Sequence, residues 1–72
     1  MMLGYIYFDN NPKRSNLDKV KFALQQYMEK VGNPPSIILV NENMKDVQMD
    51  DMDVEIRKYV LPYHMWIGNE KK

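Results

Sequence analysis

Cysteine and threonine are absent from this 72-residue sequence, and serine occurs only at Ser15 and Ser36. Without cysteine there is no disulfide framework, no thiolate zinc site and no thiol nucleophile. With two serines and a single histidine, His64, a hydroxyl–imidazole–carboxylate unit has almost nothing to be built from. Net charge is lacking as well. Ten Lys plus Arg balance ten Asp plus Glu, so no bulk field draws the chain to nucleic acid or to an anionic membrane. No apolar run approaches the roughly 20 residues that span a bilayer, and Met1-Met2-Leu3-Gly4-Tyr5 has no basic leader. The expectation is a cytoplasmic protein that does not enter membranes. At this length a chain buries only roughly 60% of its unfolded surface, so one small domain over residues 1–72 is expected.

What is present, 44% hydrophobic and 28% charged residues, describes a globule rather than a disordered chain. Leu3-Gly4-Tyr5-Ile6-Tyr7-Phe8 is aromatic and β-branched and stops at Asp9-Asn10-Asn11-Pro12, a strand and its turn. Ser15 can cap a helix beginning at Asn16, with Asp18 in the first turn. Leu17, Val20, Leu24, Tyr27, Met28 and Val31 recur at helical spacing and predict the stripe that faces a sheet. Gly32-Asn33-Pro34-Pro35 ends that helix. Ser36-Ile37-Ile38-Leu39-Val40 is apolar on both alternations and predicts a strand in the middle of the sheet. Asn43 can cap a short helix over Met44 to Met49. Val54 to Val60 alternates, Leu61-Pro62 breaks it, and Tyr63 to Ile67 follows, which predicts a C-terminal hairpin.

These elements give an α/β (α+β) two-layer fold of order β-α-β-β-β, with one main helix on one face of a small mixed sheet and a short helix before the hairpin. One helix dries one face of a sheet. The other face lacks a cover within the chain, so self-association into at least a dimer is predicted, with an unidentified protein partner as the other occupant. Tyr5, Tyr7 and Trp66 are the candidates for that second face. Phe22 stands on the outer side of the helix, about 180° from the Val20-Leu24-Val31 stripe, and is a further candidate contact.

The Gly32-x-Pro34-Pro35 helix exit, the strand ending Val40-Asn41, and the closing Leu61-Pro62-Tyr63-His64-Met65-Trp66-Ile67-Gly68 resemble small proteins of bacteria, archaea and their mobile elements that share a Pro-x-His-x-Trp-x-Gly-type ending. The resemblance covers about half of the chain. It implies a compact α/β fold and no assigned chemistry, and the stretch from Met44 to Asp53 departs from it most.

Asp51, Asp53 and Glu55 begin like a calcium loop, but the sixth position is Ile56 and the twelfth Pro62, so no metal site is expected. No cofactor motif is present. The segment Asp9 to Ser15 carries Lys13, Arg14 and a helix N-terminus, which can hold an anion, although a solvated turn is the favoured reading. Alternation places His64 on one strand face with Trp66 and Gly68, where a packed or hydrogen-bonded ring is more frequent than a ligand or base. The expected function is a non-enzymatic interaction or accessory module. A nucleic-acid-binding accessory protein using Tyr5, Tyr7, Tyr59, Tyr63 and Trp66 as a stacking platform is the alternative, although the neutral chain makes nucleic acid the weaker partner. An enzyme with His64 as acid or base comes third.

Overall fold

The N-terminal strand forms as β1 (Met2–Phe8) in the computed structural model, which describes residues 2–70, with the backbone alone for Met2, Leu3 and Glu70. β1 stops because the next residues bond to themselves. The Asp9 carboxylate accepts from the Asn11 amide at 2.9 Å, and the Asn11 side chain accepts from the Lys13 amide at 2.9 Å. Two successive Asx turns thus replace the ladder. The helix α1 (Asn16–Val31) has the expected bounds. Ser15 Oγ accepts from the Asp18 amide at 3.1 Å, and Gly32 closes the helix at φ 84° with its amide donating to the Met28 carbonyl. That left-handed position is open to glycine at no steric cost.

β2 (Ile37–Val40) is buried at all four residues. The following short helix is displaced from its expected place. It is a single 3₁₀ turn, Glu42–Met44, capped by Asn41, whose side chain accepts from the Asn43 amide at 2.9 Å. Met44 is thereby its buried end rather than the start of a helix to Met49. β3 (Asp53–Ile56) is shorter than the expected Val54 to Val60, and β4 (His64–Glu70) is longer than Tyr63 to Ile67.

The sheet order is β1-β4-β2-β3. β4 runs antiparallel to both β1 and β2, and β3 lies parallel to β2 at the edge. The expected β3–β4 hairpin therefore does not form, and β1 and β2 make a split βαβ pair with β4 filling the gap. The physical reason lies in the side chains. β4 carries the fully buried Met65 and Ile67 and needs a neighbour on each edge, whereas β3 carries Asp53 and Glu55 and suits an edge, where charge deters further strand pairing. The Arg57 amide, donating to Val40 O at 3.0 Å, ends the β2–β3 ladder and turns the chain away.

On one side of the sheet, Val20, Ala23 and Tyr27 of α1 pack on Ile38, Val40, Met65 and Ile67, joined by Met44 and Val47 from the β2–β3 connection. The buried stripe is rotated from the expected one. Lys19 and Ala23 are buried, Leu17 and Leu24 are half-buried, and Met28 and Val31 are exposed. On the opposite side, Ile37 and Leu39 are covered by Val60, with Trp66 packed against them. The connection 57–63 folds across this face and is pinned where Asn41 Nδ2 donates to Val60 O at 2.6 Å. The face expected to be bare is thus half dressed by its own chain.

Candidate functional site

The half-dressed face holds the candidate site. β1 presents Ile6 and Phe8 there, β4 presents His64 and Trp66, and the register sets Ile6 opposite Trp66 and Phe8 opposite His64. The connection adds Tyr59, Val60 and Leu61. Together Ile6, Tyr59, Val60, Leu61, His64 and Trp66 line a groove of about 150 Å³. Its rim is apolar and wet: Ile6 is 66% exposed, Phe8 58%, Tyr59 66% and Leu61 64%. Single exposed apolar residues are ordinary, but Ile6, Tyr59 and Leu61 share one groove, and Phe8 adjoins it through His64.

Trp66 reaches across the face because Gly4 leaves it room. A β-carbon on Gly4 would stand 2.5 Å from Trp66 Cζ2 and 2.6 Å from the Ile67 carbonyl oxygen. His64 is held at the groove wall. Its Nδ1 donates to the Pro62 carbonyl at 2.9 Å, since a carbonyl only accepts, and its ring lies 4.8 Å from Phe8. Among the described residues no carboxylate forms an ion pair with this ring. A histidine so placed fixes the loop before β4 and packs on Phe8.

Of the five residues expected at the site, the fold brings together His64 and Trp66. Tyr5 and Tyr7 point to the helix side instead, because β1 is apolar on both alternations and Gly4, Ile6 and Phe8 take the open face. Tyr5 meets Tyr27 edge to face at 6.2 Å, and the Lys30 ammonium lies 4.6 Å from its ring centre. The strand aromatics are therefore divided between two faces and do not make one stacking platform. Phe22, expected on the outer helix side, lies on the helix flank, 45% exposed, where it borders a cavity with Tyr7 and Met65 and the Arg14 guanidinium covers its ring at 4.5 Å. Ile6, Phe8 and Leu61 were missed, and Tyr59 was named only as part of a stacking platform. The signal for Leu61 was legible, since Val60-Leu61 is an apolar pair in a connection ending at proline.

A second, polar cluster gathers where β1 meets the first turns of α1. Arg14 Nη1 bonds Asp9 at 2.9 Å. The amide bond from Asn11, with Arg14 adding to it, holds the Asp9 pKa below its ordinary value. A depressed carboxylate contributes stability above its unfolded pKa and loses it as pH falls through the folded one. Thermal unfolding followed below about pH 4 should thus show a shallower loss of stability for Asp9→Asn than for the native chain. Equal slopes would show that Asp9 carries none of the acid limb. Nearby, Tyr63 holds φ 61°, a strained value for a tyrosine, fixed where its carbonyl accepts from the Asp9 amide at 3.0 Å. Burial, with Tyr5 and Tyr27 close by, raises the Tyr7 pKa.

Among the described residues no three of His, Asp and Glu converge as metal ligands, and no helix is long and apolar enough to cross a membrane. No protein-family model, no curated protein and no solved structure matches the chain. What the site can do follows from its geometry.

Proposed function

We propose that this chain is a non-enzymatic protein-interaction module that self-associates through the open face of its sheet. The observation that carries this reading is the set of Ile6, Tyr59 and Leu61, each more than half exposed, on the wall of the Trp66 groove, with exposed Phe8 beside His64. The occupant is a second copy. The groove lining holds no carboxylate or ammonium, so two copies can meet at the groove without like-charge repulsion, with Asp53 and Glu55 kept to the β3 edge of the face. A standard interface takes about 800 Å² per partner, roughly a sixth of this molecule's 5103 Å². Phe22 lies on the other side of the molecule and cannot join the same two-fold contact.

Trp66 reports on the contact directly. Its emission should shift to the red when the protein is diluted from about 100 µM to below about 1 µM, as mass action separates the copies. Leu61→Glu should show the diluted spectrum throughout, while its fold stability as a monomer stays within about 0.5 kcal/mol, because the side chain is mostly in water. Emission independent of dilution and of Leu61→Glu would refute the second-copy occupant.

A further inference from the structure

Among the described residues, the polar cluster contains one buried group that the fold leaves without a partner, the Tyr7 hydroxyl, and beside it a lysine that makes no hydrogen bond. Lys19 is only 4% exposed, yet lysine is almost never so buried unless paired. Its ammonium lies 4.6 Å from the Tyr63 ring centre. Among the described residues it has neither an ion pair nor a hydrogen-bond acceptor. The Tyr7 hydroxyl is buried and has no hydrogen-bond partner. Tyr7 and Lys19 line the same cavity, of about 210 Å³, with Asp9, Arg14, Phe22 and Gln26 also on its wall. The charges there do not cancel. The Asp9 carboxylate is hydrogen-bonded by Arg14 and the Asn11 amide and also feels the Lys19 charge, so one anion faces the two cations of Arg14 and Lys19.

We propose that this cavity is a binding site for a small oxyanion, a phosphate or carboxylate group, with the Lys19 ammonium and the Tyr7 hydroxyl as its donors and the Gln26 amide at its wall. An oxyanion supplies the acceptor that the Tyr7 hydroxyl lacks and negative charge against the excess cation. A water molecule would satisfy the hydroxyl and leave the charge. Phe22 and Met65 complete the wall beside these polar groups. The space exceeds the roughly 150 Å³ that holds a benzene ring, so an anion bearing a short organic group is accommodated. The donors come from the β1 strand and the helix, on the helix side of the sheet, while Phe8 is shared between this cavity and the open face.

The test uses the full chain, with inorganic phosphate and, separately, acetate titrated against chloride at matched ionic strength and followed by amide chemical shifts. At least one of the two should give saturable shifts centred on Tyr7, Lys19 and Gln26. Lys19→Met and Tyr7→Phe should each weaken that binding by about ten-fold. Tyr7→Phe removes a hydroxyl with no partner to lose, so its melting temperature should hold or rise, and its weaker binding is then not misfolding. Absence of saturable shifts from either anion at about 20 mM, or equal binding by both variants and the native chain, overturns the site.

Discussion

Ile67→Ala is expected to lower the unfolding free energy by about 2–5 kcal/mol, the range for truncating a fully buried isoleucine whose surroundings cannot close the void. Ile67 has no exposed surface. It stands on β4 between Tyr5 of β1 and Ile38 of β2, directly across from each in register, with the helix layer above. Collapse into the space is blocked from three sides. For 72 residues the whole stability is about 4–11 kcal/mol, so this one change removes a large share of it. Urea unfolding should show the midpoint falling by about 2 M or more, given a slope near 1 kcal/mol/M for so small a chain. A loss below about 1 kcal/mol would place Ile67 outside the core and β4 outside the centre of the sheet.

Gly4→Ala is expected to destabilise by about 1–3 kcal/mol, and here two effects oppose each other. Removing a glycine from a strand recovers about 0.5–1 kcal/mol of backbone entropy. The added methyl, however, meets the rigid Trp66 ring at 2.5 and 2.7 Å and the Ile67 carbonyl at 2.6 Å, contacts that real β-carbons do not make. A backbone oxygen in a paired strand cannot retreat cheaply, so the clash wins. Near-ultraviolet dichroism should record loss of the fixed Trp66 environment together with the lower unfolding midpoint. A variant as stable as the native chain, with an unchanged Trp66 signal, would show that the indole does not lie over Gly4.

The helix and the two-layer plan were legible in the residues because their signals are local. Ser15, Asp18, Gly32 and the prolines act within a turn of where they stand, and α1 begins and ends where they place it. Strand order was not legible, because the pairing of β4 with both β1 and β2 is decided by contacts across most of the chain length. Leu61-Pro62 looks like a hairpin turn, yet the residues around it dress a sheet face and return β4 to the middle. The assignment of faces failed on β1 for a different reason. With Tyr5 and Tyr7 on one alternation and Ile6 and Phe8 on the other, period-two patterning has no polar side to mark solvent. Only the tertiary fold, which sets Gly4 under the indole of Trp66, decides which pair is left outside. Lys19 was hidden likewise, since its long stem lets a charged residue lie under the buried stripe of the helix.

The open sheet face as a contact between two copies is tested most directly by sedimentation equilibrium of the native chain and of Ile6→Glu, each across a range of concentrations. The native chain should approach twice its 8.6 kDa mass as concentration rises. Ile6→Glu, with the carboxylate set at the rim of the groove, should remain at the single-chain mass throughout while unfolding as cooperatively as the native protein. A native chain that stays at the single-chain mass at every concentration would contradict the account, as would an Ile6→Glu variant that assembles as the native chain does.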